Sequence, residues 1–216
     1  NTLAASDTLL IEPDSGKREN LVRETGCRAK ASMDDEIAAA DCLLLAVKPQ
    51  SAMDVMPTLK PLLTGNPMLI SVMAGVSMQS LEKGLGLKKL VRVMPNTPAL
   101  VGEGMSVYFA SQAVNDEERE WIRKLFSSCG KCMEVEDENA IDAATAVSGS
   151  GPAYLFYLAE QMIEAAKNLG FQAEQSETLV KQTLKGASLQ LQEQESAAEL
   201  RRRVTSPGGT TEAALK

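Results

Sequence analysis

Asp41-Cys42-Leu43-Leu44-Leu45-Ala46-Val47-Lys48-Pro49 is the stretch on which the fold turns. Its almost wholly apolar run reads as a strand buried on both faces of a parallel sheet, and Lys48-Pro49 stops it. Upstream, Thr8 to Glu12 reads as a strand, Lys17 to Thr25 as a helix ended by Gly26, and Met33 to Ala40 as a second helix. Downstream come a helix from Ser51 towards Leu63 broken by Pro57 and Pro61, a strand Met68 to Met73, a short helix Met78 to Gly84 and a strand Leu90 to Met94. This alternation predicts an α/β fold with a doubly wound parallel sheet, whose ligands lie outside the carboxyl ends of the strands. Three of those ends carry unusual residues: Lys48-Pro49, Ala74-Gly75 and Pro95-Asn96-Thr97-Pro98.

A strand Met105 to Ala110, a helix opened by Asn115 with Asp116, Glu117 and Glu118 in its first turn, and a strand Lys131 to Val135 complete the alternating region. From Asn139 onward only helical patterns follow: Ile141 to Val147, Pro152 to Leu169, Glu174 to Glu193 and Ala197 to Val204. The expected domains are therefore residues 1–138 and 139–216. The later helices carry Ala, Leu and Met on more than one face, and such helices must bury against something; a second copy of the same chain is the expected partner. The chain opens on Asn1 rather than Met and stops barely one turn into a helix, so both ends are expected to lie inside a longer natural protein.

The 216 residues include 44% hydrophobic ones and carry a net charge of -7, which argues against nucleic acid, whose phosphates demand clustered Lys and Arg. The one basic run, Arg201-Arg202-Arg203, closes a helical segment and reads as complement to its dipole. No apolar stretch approaches the roughly 20 residues of a membrane span and no signal peptide is visible, so a cytoplasmic protein is expected. Cys129-Gly130-Lys131-Cys132 closes a helix instead of opening one, the wrong end for stabilising a thiolate. With no second such pair and no histidine in the chain, no metal site is expected; Gly130 reads as a helix stop.

The absence of histidine also removes the commonest general acid and base. Two glycine-bearing turns, Ser148-Gly149-Ser150-Gly151-Pro152 and Ser206-Pro207-Gly208-Gly209-Thr210-Thr211, run into helix-forming stretches and suggest anion-binding helix ends, with plain capping turns as the alternative. Backbone amides around an anion, without an imidazole, suit hydride transfer from a bound cofactor better than histidine-assisted hydrolysis.

Taken in order, Ala46-Val47-Lys48-Pro49, Val93-Met94-Pro95-Asn96-Thr97-Pro98, Ser148-Gly149-Ser150-Gly151-Pro152-Ala153-Tyr154 and Val204-Thr205-Ser206-Pro207-Gly208-Gly209-Thr210-Thr211 closely resemble pyrroline-5-carboxylate reductases, over essentially the whole chain. The resemblance implies a Rossmann domain that binds NADPH or NADH, a helical domain that dimerises within a homo-oligomer built from dimers, and reduction of 1-pyrroline-5-carboxylate to L-proline, the last step of proline biosynthesis. It implies that Ala46, Val47, Lys48, Pro49, Val72, Met73 and Ala74 line the cofactor, that Asn96 lies near the nicotinamide end, and that Ser206, Gly209, Thr210 and Thr211 hold the substrate. The family's Gly-rich pyrophosphate turn, after its first strand, would precede Asn1. Arg202 and Arg203 stand where relatives often carry an Asp and a polar residue.

The chemistry is compatible with those roles. A protonated imine is a good hydride acceptor, so the site must chiefly align the reacting carbons and hold the carboxylate. Thr211 could donate to the ring nitrogen while the amides of Gly209 and Thr210 take the carboxylate. Glu12, at a strand end, could accept both ribose hydroxyls and favour NADH, with Lys17 and Arg18 in the next turn able to offset its charge. Two other readings are a related hydroxyacid dehydrogenase, using Lys167, Lys181 or Lys185, and a dimerising homologue that binds no cofactor.

Overall fold

The computed structural model describes residues 3–215; Asn1, Thr2 and Lys216, on which the readings of the chain ends fall, lie outside them. The chain divides into two compact units, one running to Pro152 and the other beginning at Ala153.

In the first unit β1 (Leu9–Ile11) and β2 (Arg28–Lys30) pair in parallel as a two-stranded sheet joined by α1 (Ser15–Thr25). The helix starts where the Asp14 carboxylate accepts from the Lys17 amide at 2.8 Å. β2 has no counterpart in the sequence reading, because Arg28-Ala29-Lys30 offers no apolar run to see. The expected helix Met33 to Ala40 is only a 3-10 turn, Asp35–Ala39, which buries Ile37 alone.

A five-stranded sheet follows in the order β3 (Cys42–Leu45), β4 (Met68–Ser71), β5 (Leu90–Met94), β6 (Gly104–Ala110) and β7 (Gly130–Glu134). It is mostly parallel, with one reversal, since β6 runs antiparallel to β5. The cause is the short connection between them, which holds only the 3-10 turn Thr97–Val101, whereas a parallel return needs a crossover of about a dozen residues or more. The stretch that decides the fold also departs from expectation. Among the described strands β3 is a sheet edge, and Leu44 is 53% exposed; the strand buried throughout is β4.

Alternate residues of β4 and β5 feed two apolar layers. Leu69 and Leu90 pack with α2 (Ala52–Leu59) and α3 (Met78–Leu85), while Met68, Ile70, Val91 and Val93 pack with α4 (Asp116–Ser127) through Ile122 and Phe126. Asn115 and Glu118 form a reciprocal capping box at the start of α4. Gly130 is a strand residue and not the helix stop, which is Ser128. Its φ of 145° and the 2.1 Å that would separate a Cβ from the Gly104 carbonyl oxygen explain the glycine: two backbones touch there.

The last part of this unit is one nearly unbroken helical run. α5 (Asn139–Ala144) passes into a π-helical turn, Thr145–Gly149, and then into α6 (Gly151–Asn168). Ser148-Gly149-Ser150-Gly151-Pro152 is thus a joint within a helix rather than a loop that opens one. Ser150 is the C-cap of the π turn, and its amide donates to the Thr145 carbonyl at 2.8 Å, so that amide is not open to the anion expected here.

The second unit holds the rest of α6, then α7 (Ala173–Gln190), α8 (Ala197–Arg203) and α9 (Thr210–Ala214). α6 buries none of its residues, and Tyr154, Leu155, Phe156 and Tyr157 are all more than half exposed. α7 buries only Ser176 and Val180. Arg201, Arg202 and Arg203 form the last turn of α8, where their charge suits the helix dipole, and Arg203 is tied to Glu195 at 2.6 and 2.7 Å.

Candidate active site

Because β3, β4 and β5 are parallel neighbours, with Leu45 beside Ser71 and Ser71 beside Arg92, their carboxyl ends leave the sheet along one edge. Six of the residues the resemblance assigns to the cofactor follow directly: Ala46, Val47, Lys48 and Pro49 after β3, and Val72 and Ala74 after β4. Ala46, Val47, Lys48 and Ala74 are exposed, and Pro49 and Val72 are half-buried. Met73 differs. Its side chain is 3% exposed and belongs to the apolar layer, so only its backbone can meet a ligand.

Glu12 continues the β1–β2 pairing by donating its amide to the Lys30 carbonyl at 2.9 Å. Its carboxylate accepts from the Asp14 amide at 2.9 Å, and Arg18 turns back onto the Glu12 carbonyl at 2.7 Å. Lys17, whose amide is held by Asp14, and Arg18 thus form the first turn of the helix beside it.

Asn96 stands after β5, half-buried. Its Nδ2 donates to the Ser148 carbonyl at 3.0 Å and its Oδ1 accepts from the Met105 amide at 2.8 Å. A carboxamide committed at both ends inside the protein is a poor candidate for a cofactor ligand. A second tie lies within β5: Arg92, 4% exposed, reaches Glu138 at 2.7 Å and Asp142 at 3.1 Å. The same Glu138 oxygen accepts from the Met78 amide at 2.7 Å, at the start of α3. Sequence reasoning passed over this cluster, although an Arg in the apolar strand Leu90-Val91-Arg92-Val93-Met94, with Glu138 and Asp142 one helical turn apart, was a legible signal.

In the second unit Ser206, Gly209, Thr210 and Thr211 share a single turn. Gly208 takes φ 73° and donates to the Glu212 carboxylate at 2.7 Å. The Gly209 amide, expected to face the substrate carboxylate, instead donates to the Ser206 carbonyl at 3.0 Å, which the tight turn requires. Gly209 is the N-cap of α9, so the amides at its open end belong to Thr210 and Thr211, both with exposed side chains. A Cβ on Gly209 would stand 2.6 Å from the Ser206 hydroxyl oxygen and 3.0 Å from its carbonyl oxygen, so the turn is tight at this residue.

Burial pushes the Cys132 and Cys42 thiols up to about 11, and all four cysteines are free. No cluster of three or more metal-ligating side chains occurs among the described residues. Lys167 and Lys181 pair with Glu164 and Glu177 on exposed helix faces, and Lys185 is also exposed.

The strand-end edge fits a nicotinamide dinucleotide in its chemistry. Ala74 and Gly75 leave the backbone open to close approach, with no atom within 4 Å of a Cβ built at Gly75, and Lys48 offers an exposed ammonium for phosphate charge. An α/β unit with such an edge, continued by a helical unit, defines the class of nicotinamide-dependent oxidoreductases. In agreement, residues 2–75 match the family model described as NADP oxidoreductase coenzyme F420-dependent, and residues 138–216 match pyrroline-5-carboxylate reductase dimerisation. The chain is 42% identical over 207 residues to a pyrroline-5-carboxylate reductase of Pseudomonas aeruginosa, covering 95% of this chain and 76% of the relative. It is 36% identical to one from Pisum sativum, with the same coverage. The crystal structure of the Plasmodium falciparum pyrroline carboxylate reductase with NADP bound superposes with a TM-score of 0.83 at 35% identity, over 96% of this chain and 76% of that one. The chain belongs to the pyrroline-5-carboxylate reductase family.

Proposed function

We infer that this protein reduces 1-pyrroline-5-carboxylate to L-proline, with NADPH or NADH as hydride donor, as the last step of proline biosynthesis. The carrying observation is the identity of 42% over 95% of the chain to a reductase of that name, with Ser206 to Thr211 inside the dimerisation match and Glu12 to Ala74 inside the oxidoreductase match. When bound, the reduced nicotinamide supplies the hydride. Ala46, Val47, Lys48, Pro49, Val72, Ala74 and the Met73 backbone line it, and Glu12 meets the adenosine ribose. The Thr210 and Thr211 amides, aided by the Ser206 hydroxyl, take the substrate carboxylate. The Thr211 hydroxyl oxygen accepts a hydrogen bond from the protonated ring nitrogen, which has no lone pair to receive one, and so orients the imine. One C–H bond forms as the C=N π bond becomes a nitrogen lone pair, and the proton already on the imine nitrogen stays there, so no histidine is needed.

Residues 1–138 serve the cofactor and residues 139–216 serve substrate and dimer; the family match beginning at residue 138 supports this division. The exposed apolar faces of α6 and α7 form the homodimer, from which larger homo-oligomers are built. A cytoplasmic setting suits four free thiols. No described helix is long and apolar enough to cross a membrane. The hydroxyacid dehydrogenase reading loses support because its candidate lysines are ordinary exposed helix residues. Purified full-length protein should oxidise NADPH or NADH only when the imine is added and should yield proline in equal amount. Failure with both cofactors refutes the reading.

A further inference from the structure

We propose that Asn96 is a positioning residue for hydride transfer, fastening the π turn Thr145–Gly149 to the exit of β5. The inference rests on the reductase reading above and deepens it.

Pro152 creates the need. In an α-helical register the Ser148 carbonyl would accept from the amide four residues on, and that residue is Pro152, which has none. The run is a π turn at this point, and the carbonyl that Pro152 leaves without an α-helical donor is taken by Asn96 Nδ2 at 3.0 Å. The other half of the same carboxamide holds the Met105 amide, on the return limb of the β5–β6 connection. The orientation is forced: exchanging Oδ1 and Nδ2 would set oxygen on carbonyl and amide on amide. Asp cannot donate to Ser148, and Ser is too short to span both groups.

Packing acts at the same point. A Cβ on Gly149 would lie 2.6 Å from Met94 Cε, so the turn sits directly against the last residue of β5. Further down the strand Arg92 binds Glu138 and Asp142, one helical turn apart. The α5 and π-turn run is therefore tied to β5 and its exit at two separated places. The edge on which the nicotinamide must sit is held in register from the β5 side, while the loops after β3 and β4 carry the cofactor contacts. Loosening the Asn96 tie should spoil alignment more than affinity, and misplacement by about 1 Å can cost on the order of a hundredfold in rate.

The test is Asn96→Ser and Asn96→Asp in the full-length protein. Expected are a kcat lower by about ten- to a hundredfold, a KM for the preferred cofactor within about threefold of the parent, and faster amide exchange across residues 145–151 without any ligand. Adding Pro152→Ala, which restores a donor for Ser148, should return part of the exchange protection and secures the measurement if a single variant folds poorly. A raised cofactor KM with kcat kept would make Asn96 a cofactor ligand and overturn the proposal. So would unchanged exchange at 145–151. A parent that reduces no 1-pyrroline-5-carboxylate refutes the reductase reading instead, and the ligand-free exchange still decides whether the tie exists.

Discussion

Removing Glu138 should destabilise the protein more than removing Arg92, although the two form one ion pair. The Arg92 side chain is 4% exposed, that of Glu138 28% and that of Asp142 64%. Glu138→Ala leaves a buried guanidinium with only the exposed Asp142 for company, and that remaining pair is worth under about 1 kcal/mol. An uncompensated buried charge costs about 3–5 kcal/mol, which Asp142 reduces to about 2–4. The Met78 amide also loses its acceptor, adding about 1 kcal/mol at the start of α3. The total is about 3–5 kcal/mol. Arg92→Met keeps an apolar stem of similar length in the sheet and releases two carboxylates that water can reach, so about 1–2 kcal/mol is lost. For a chain of this size each kcal/mol moves Tm by about 2–4 °C, which predicts drops of about 6–20 °C against about 2–8 °C. Urea and thermal unfolding at one fixed protein concentration measure both, and the double variant should cost less than the sum. An Arg92→Met variant as unstable as Glu138→Ala would refute the reasoning.

Thr211→Val should keep fold and cofactor affinity while lowering turnover by about one to two decades, the worth of one hydrogen bond to a charged group, and turnover within about twofold of the parent would reduce Thr211 to a cap. Glu12 predicts a preference for NADH that Glu12→Ser shifts towards NADPH; kcat/KM for both cofactors, before and after, decides it, and a parent favouring NADPH by about tenfold removes the support. Burial and the bond to Glu134 push the Tyr108 phenol up to about 12, above its ordinary value of 10.0. A raised folded value means this stabilisation is complete below pH 10 and lost as pH climbs towards 12, so Tyr108→Phe should flatten the alkaline limb of a stability profile by about 2–3 kcal/mol. An unchanged limb would count against it. Light scattering should report a dimer or a multiple of it, and a folded monomer at micromolar concentration would contradict the assignment of α6 and α7 to the interface.

What was legible in the sequence followed from period and punctuation. Leu90 to Met94 is a strand with the bounds its apolar run suggests, and Asn115 caps α4 through the box that Glu118 completes. The failures share one physical root, which is that local pattern does not know its neighbours. Leu44 looks like core but lies on a described sheet edge, and Arg28-Ala29-Lys30 looks like loop but has Leu9–Ile11 to pair with. Gly130 looks like a helix stop, yet its glycine is demanded by Gly104, a residue far away in sequence. The site divides in the same way. Ser206 to Thr211 is one contiguous turn, so its residues could be read together, although the inward hydrogen bond of Gly209 could not. Asn96 and Ser148 stand 52 positions apart, and their bond falls on a carbonyl for which Pro152 has no donor to offer. The sequence shows both the proline and the asparagine; only the fold shows that one supplies what the other removes. That dependence is the ground for proposing that the carboxamide, read by resemblance as a neighbour of the nicotinamide, fastens the strand-end edge.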